Sequence, residues 1–443
     1  MKYQKYDKYK ISNNPWFSEL PENWDVSRIK FNSILFGRIG YRGYSTDDLV
    51  DEKEGAITLS PSNMINGKLD FSKCTYLSWD KYNESPEIKM RDHDVVMVKT
   101  GSTIGKVSFA EKIEYPTTIN PQLVLYKKIK CNPKFLFYYL FSKNAQDRIP
   151  LYNSGSTIPT MKQEDIGRFY LPMPSMNEQN SIVEFLDRET THIDTLIDKK
   201  QKLIELLKEK RIALITQTVT KGLNPDVKMK DSGIEWIGKI PNEWNVNRLK
   251  FLITKSLQYG ANEAAELDDV ELPRYIRITD IKENGSLRDD TFRSLPKEVA
   301  QPYLLEYGDL LFARSGATVG KTFLYSESWG DAAYAGYLIR AKLNLLKVIP
   351  EFINYYTKSK GYTSWIDSMI IQATIQNVSA EKYASLFFPI PDIKEQKHIV
   401  DFLNHETKKI DGLIDKIEKA INKHQEYRIA LISAAVTGKI KVT

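Results

Sequence analysis

The chain has 443 residues, of which 42% are hydrophobic and 27% charged, ordinary globular values that leave room for roughly two to four domains. A net charge of +6 and a pI near 8.8 permit an anionic partner without requiring one. No apolar run approaches the ~18 residues of a membrane span, and the basic, tyrosine-rich N-terminus lacks a signal-peptide core, so no membrane partner is expected.

Residues 1–174 are expected to form a mixed α/β domain around a curled, largely antiparallel sheet. Phe36-Gly37-Arg38-Ile39-Gly40-Tyr41-Arg42-Gly43-Tyr44 interleaves arginine, tyrosine and glycine in a loop. A guanidinium can pair two-pronged with guanine O6 and N7, and tyrosines and lysines can hold phosphates. Asn66-Gly67 is a hairpin-turn signal. Val95-Val96-Met97-Val98 reads as a buried strand running into a glycine loop, Gly101-Ser102-Thr103-Ile104-Gly105-Lys106-Val107. A short helix is expected over 133–146. The cysteines, Cys74 and Cys131, fall in this half alone, so no disulfide is repeated along the chain, and a reducing cytoplasm is the expected setting.

Residues 175–221 form the next element. From Asn177 to Thr220 there is neither proline nor glycine. Ile193, Ile197, Lys200, Ile204, Leu207, Arg211, Leu214 and Thr218 alternate at spacings of four and three, the seam of a coiled coil. Such a helix extends roughly 60 Å at 1.5 Å per residue and should project as a stalk. Ser175, followed three residues later by Glu178, has capping-box spacing, and Gly222 beside Lys221 marks the stop. Ser175–Lys221 carries eight acidic and eight basic residues, so the helix is no basic arm for nucleic acid.

After a linker at Lys221–Met229, residues 222–391 repeat the first domain. Asn284-Gly285 is the second hairpin signal, and Leu310-Leu311-Phe312-Ala313 the second buried strand. A helix is expected over 350–360. Residues 392–443 then repeat the long helix, with the seam at Ile410, Ile414, Ile417, Ile421, His424, Arg428, Leu431 and Ala435, a cap at Asp392 with Glu395, and a stop at Gly438.

The copying is explicit. Arg211–Thr220 and Arg428–Thr437 are identical at 7 of 10 positions, at an offset of 217 residues that also relates Glu178-Gln179 to Glu395-Gln396 and Pro172-Met173-Pro174 to Pro389-Ile390-Pro391. Trp16…Pro21-Glu22-Asn23-Trp24 matches Trp236…Pro241-Asn242-Glu243-Trp244. A period this long is a duplicated module rather than a solenoid repeat.

Several motifs invite an enzymatic reading and fail it. Ser315-Gly316-Ala317-Thr318-Val319-Gly320-Lys321-Thr322 resembles a phosphate-binding loop, but has three residues between its glycines instead of four and runs into Phe323-Leu324-Tyr325, another strand, instead of a helix. Asn120-Pro121-Gln122-Leu123 lacks the second proline and the aromatic of the amino-methyltransferase motif. Asp392, Glu395 and Lys397 have the letters of a nuclease metal site, yet all of them start a helix. The five histidines show no metal-ligand spacing. No catalytic constellation recurs in both halves.

What remains is the polar and aromatic content of the loops. The candidate DNA contacts are Arg38, Tyr41, Arg42, Tyr44, Lys99, Ser102, Thr103 and Lys106 in the first domain. Their counterparts in the second are Tyr259, Arg274, Arg277, Arg314, Ser315, Thr318 and Lys321. The frame repeats while these side chains differ, as two readers of different targets would.

The Pro-x-Pro…Glu-Gln lead-ins, the long helices and the Trp…Pro-x-x-Trp openings resemble the specificity subunit of type I restriction–modification systems over essentially the whole chain. The resemblance implies an α+β fold, two target-recognition domains separated by an antiparallel coiled coil with an internal pseudo-two-fold repeat. Each domain would read one half of a bipartite double-stranded DNA target, and the helices would set the spacing. Two methyltransferase subunits and the restriction (motor/nuclease) subunits are the implied partners. S-adenosylmethionine, ATP and Mg²⁺ would belong to those subunits, with none on this non-catalytic chain. The first copy departs most from the pattern, with Asn14-Pro15-Trp16-Phe17 where the second has Ile234-Glu235-Trp236-Ile237. A coiled-coil adaptor whose paired domains bind proteins is the competing reading.

Overall fold

The computed structural model describes residues 3–38, 40–153, 157–282, 285–371 and 377–442, without the side chains of Tyr41, Ala317 and Ile371. Its contacts divide the chain into two compact units, residues 1–200 with 419–443, and residues 201–418. Each unit holds one mixed domain and part of each long helix.

In the first unit the Val95–Val98 strand is buried at every position. The reason is that both faces of its sheet are covered. Val95 and Met97 pack into a core with Trp24, Phe135 and Tyr139, while Val96 and Val98 face another with Ile57, Leu59 and Ile119. A continuous apolar run, in place of alternation, is what two-sided burial demands. The sheet is antiparallel in the order Val107–Phe109, Val95–Val98, Leu123–Lys127, Ile34–Gly37. A second sheet orders Thr117–Ile119, Ala56–Leu59, Thr75–Leu77 and Leu49–Val50, and its first pair is parallel. Asn66 and Gly67, at φ 50° and 84°, close the hairpin of Met64-Ile65 with Lys68-Leu69.

The second unit repeats this plan. Leu310 and Phe312 join a core with Trp244, Phe352 and Tyr383, and Leu311 and Ala313 join another with Ile276 and Tyr334. The sheet order is Gln258–Tyr259, Leu338–Lys342, Asp309–Ala313, Thr322–Leu324, and Arg274–Ile276 pairs in parallel with Ala332–Tyr334. Gly285 has φ 83°, as a turn there requires; Asn284 lies outside the described residues.

The helix expected over 133–146 forms as Pro133–Phe141 and Lys143–Gln146, started by Asn132 and Ser142, whose side chains accept backbone N–H bonds. That expected over 350–360 is shorter, Pro350–Tyr356, and is followed by an unforeseen helix, Lys360–Ile371. Gly361 lies in the first turn of that helix. Here it lets the helix approach the Trp236 carbonyl, where a Cβ would sit 2.7 Å from the oxygen.

The long helices span Met176–Lys221 and Ile393–Val436. Their starts are capped by Ser175, whose Oγ accepts from Glu178 N at 3.3 Å, and by Asp392, whose Oδ1 accepts from Glu395 N at 2.8 Å. The glutamates serve a different end from the reciprocal bond of a capping box. Glu178 accepts from the Tyr6 hydroxyl at 2.6 Å and Glu395 from Trp244 Nε1 at 3.0 Å. Gly222 and Gly438 end the helices at φ 74° and 71°. A Cβ on Gly438 would lie 2.4 Å from Pro21, because the Pro-x-x-Trp turn packs against the helix end.

Every seam position in both helices is buried or half-buried, while Leu203, Leu206 and Leu413 off the seam stay exposed. Within the first unit the segments run antiparallel. Arg428 meets Asp194 at 2.8 Å, and Gly438 lies against Trp24, whose neighbour Tyr6 reaches Glu178. Within the second unit Arg211 meets Asp411 at 2.9 Å, and Gly222 lies beside Glu395. The two ion pairs are the same pair of the repeat.

Candidate nucleic-acid interface

Two buried glutamines explain the Glu-Gln lead-in and fix each domain on its helix. Gln179 donates to Pro174 O at 2.9 Å and accepts from Asn132 N at 2.8 Å, joining the start of the long helix to that of Pro133–Phe141. Gln396 does the same in the second unit, donating to Pro391 O at 3.0 Å and to Lys347 O at 3.2 Å and accepting from Ile349 N at 2.7 Å. The sequence pattern pointed at this dipeptide, but only the paired backbone shows that the glutamine is the clamp.

On this support, the central strand of each domain delivers one long cation past its end, Lys99 after Val98 and Arg314 after Ala313. Their surroundings correspond bond for bond. Lys99 N donates to Gln122 O at 2.8 Å, and its carbonyl accepts from Met161 N at 2.8 Å. Arg314 N donates to Tyr337 O at 3.0 Å, and its carbonyl accepts from Val378 N at 2.8 Å. Among the described residues, neither side chain has a hydrogen-bond or ion-pair partner. Burial pushes the Lys99 ammonium below the usual lysine range. Arg314 instead stacks on the exposed ring of Tyr259, 4.9 Å from its centroid, with the exposed Tyr337 ring at 6.0 Å.

The loops that follow are hairpins. Gly101 and Gly105, at φ 115° and 87°, turn the chain so that Ser102 and Thr103 stand exposed. Gly316 and Gly320 repeat the turn at φ 75° and 83°, with Ser315 and Thr318 half-buried beside it. Both loops run on into strands, Val107–Phe109 and Thr322–Leu324. Lys106 turns inward to Pro61 O at 3.1 Å, whereas Lys321 has no such bond among the described residues and lines a cleft of about 700 Å³ with Lys208, Arg211 and Lys358.

The other arginines do not stand where the sequence suggested. Arg38, 4% exposed, donates to Ile119 O, Arg42 O and Thr118 Oγ1 and stacks on Tyr44. Arg274, 7% exposed, donates to Arg288 O and lies against Phe292 and Trp329. This corrects the reading of both as surface contacts. The physical cause is tertiary: the strand Thr117–Ile119 lies against Arg38 and accepts bonds from its guanidinium, while Arg274 opens a buried strand paired in parallel with Ala332–Tyr334. Arg277 is bound by the nearly unexposed Asp280 at 2.9 Å and by Thr291 O at 2.7 Å, so it too serves its own fold. Arg42 pairs with Glu87 at 3.3 Å at a half-buried position. Tyr41, a candidate by sequence, has a side chain outside the described residues.

Comparison with known proteins bears on this arrangement. The family model of the type I restriction modification DNA specificity domain matches residues 21–206 and again 241–423. The specificity subunit of type I restriction enzyme StySPI from Salmonella potsdam is 22% identical over 415 residues, covering 91% of this chain and 85% of that subunit. That of MjaVIII from Methanocaldococcus jannaschii is 24% identical over 446 residues, covering 96% and 94%. A chain solved in work on complex assembly and conformational transition of the type I R-M system shares the fold. Its TM-score is 0.69 at 14% identity, over 95% of this chain and 99% of that one. With its two copies both matched, end to end with such subunits, the chain belongs to the type I restriction–modification DNA specificity family.

Proposed function

We propose that this chain is the specificity subunit of a type I restriction–modification complex. It reads a bipartite duplex target, one half-site per domain, and scaffolds two methyltransferase subunits, with restriction subunits joining for cleavage. The antiparallel helices set the number of base pairs between half-sites. Chemistry is left to the partners: S-adenosylmethionine, ATP and Mg²⁺ act there, and this chain contributes recognition. The cytoplasm, where such a complex meets DNA, is its setting.

The observation that carries this reading is the strand-end pair Lys99 and Arg314. One backbone frame presents twice a cation with no polar side-chain partner among the described residues, and the side chains around it differ. Phosphate contacts would position each domain and base-edge contacts would specify. Exposed Ser102 and Thr103 in the first domain, and Lys321 in the second, have the chemistry for the phosphates. Arg42 and Tyr44, and Ser315 and Thr318, complete the candidate loops.

Duplex binding by the assembled complex tests the proposal. Affinity should fall steeply with salt, as expected when phosphates are neutralised and counterions released. Scrambling either half-site should weaken binding. Binding indifferent to salt and to both half-sites would favour the protein adaptor instead.

A further inference from the structure

The cation at the end of the central strand deserves a more specific role than general contact. Arg314 differs from Arg274, Arg277 and Arg340 in the same domain, each of which is hydrogen-bonded within the chain. Its guanidinium lies against the Tyr259 ring and makes no hydrogen bond among the described residues; its Nε, like that of Arg274, is shielded from solvent without an acceptor there. Buried N–H groups are almost always paired, so one left unpaired calls for an explanation. A guanidinium held by ring faces keeps its planar edge available for two-pronged pairing. Tyr259 is itself held, its hydroxyl accepting from Ala380 N at 3.3 Å.

The first domain places Lys99 at the same point with a different surround. Tyr259 pairs with Ile339 in its sheet, and the matching pair in the first domain is Gly37 with Val124. There the side chain of Gln163 fills the space a Cβ on Gly37 would take, its Nε2 only 2.5 Å from that position. Gln122 replaces Tyr337, its side-chain oxygen held by Asn120 Nδ2 at 3.1 Å. At the positions matching the two aromatic rings of the second domain, the first domain thus carries two amides.

Resting on the DNA-reading function above, we propose that Arg314 and Lys99 are the paired base-reading cations of the two domains. Each donates to O6 and N7 of one guanine in the major groove, the commonest specific contact of these side chains. Each half-site therefore contains a G·C pair at the position these residues reach. Tyr259 and Tyr337 are positioning residues for Arg314.

The test is modification sequencing of DNA treated with the assembled methyltransferase complex, carrying either the wild-type chain or a variant. The wild-type motif should hold a G·C pair in each half. Arg314→Gln should lower modification of that motif roughly 5- to 150-fold, the factor expected of one bidentate base contact. It should also relax the base required at one position of one half-site, leaving the other half-site unchanged. Lys99→Gln should do the converse. Arg314→Lys keeps the charge and can still reach O6 and N7 but lacks the planar fork held by the Tyr259 ring, so its loss at that same position should fall between wild type and Arg314→Gln; it serves if the glutamine variant fails to fold. Tyr337→Ala should give a smaller loss that Tyr337→Phe restores, since the ring face holds the guanidinium. An unchanged motif and rate in Arg314→Gln would overturn the proposal. So would a uniform loss at all positions with a shallower salt dependence, the signature of a phosphate contact. A bipartite motif with a half-site lacking G·C overturns this proposal alone, whereas a wild-type complex that modifies no bipartite sequence overturns the functional reading beneath it.

Discussion

Gln396→Ala tests how each domain is fastened to its helix. Gln396 is fully buried and makes three hydrogen bonds, to Pro391 O, Lys347 O and Ile349 N. Each such bond nets about 1 kcal/mol, and a buried group left without its partner costs about 1–3 kcal/mol. Truncation orphans the Ile349 N–H and the Pro391 carbonyl together and leaves a void, so a local loss of about 3–4 kcal/mol is expected. A chain of two compact units need not unfold in one step, which makes hydrogen exchange of the full chain the right assay. Protection over 349–356 and 393–400 should fall by about two to three decades, while that over 133–141 in the other unit stays put. Gln396→Glu keeps the volume but turns the donor into a carboxylate oxygen facing two carbonyls, and should cost at least as much. Protection within about fivefold of wild type in Gln396→Ala would refute the clamp.

Three other expectations follow from named contacts. Arg428→Ala should destabilise its unit by about 1–2 kcal/mol and Arg211→Ala by less, because the Arg428–Asp194 pair is the more buried and Arg428 also lies over the Phe141 ring; equal losses by denaturation would contradict this ranking. Leu207→Pro, in the half-buried seam, should cost about 3 kcal/mol or more and abolish assembly with methyltransferase subunits, so an unchanged complex on size exclusion would count against the coiled coil. Lys358 donates to Thr322 O and Oγ1, and burial, with Arg211 and Lys321 near, pushes its ammonium down to about 8 from the usual 10.5. Between those values the unfolded chain binds more protons than the folded one, so this group's contribution to stability rises with pH. The melting temperature of wild type relative to Lys358→Met should therefore climb from pH 8 to 10.5, and a constant offset would show the reasoning wrong.

Periodicity and punctuation carried much of this fold in the sequence. The four-three spacing marked the seam, Ser175 and Asp392 the helix starts, and Gly222 and Gly438 the stops, because each depends on neighbours within one or two turns. Unbroken apolar runs at Val95–Val98 and Leu310–Ala313 announced buried strands for the same reason. The fate of the arginines was not legible. Arg38 is buried where it bonds to Thr118 and Ile119, 80 and 81 residues along the chain, a contact that no local pattern records. Arg314 looks no different from Arg277 in sequence, yet one is stacked on tyrosines with no polar partner among the described residues and the other is tied to Asp280. Gly361, within the helix Lys360–Ile371, serves a close approach to the Trp236 carbonyl, some 125 residues away in sequence, which no local pattern records.

In the function proposed, one chain selects one bipartite DNA sequence for a complex whose partner subunits carry out the chemistry. The most direct measurement is the methylome of the host with and without this chain. A single bipartite motif, two specified halves around an unread spacer, should lose its modification when the chain is removed and regain it on restoration. A methylome that does not change on removal would contradict it.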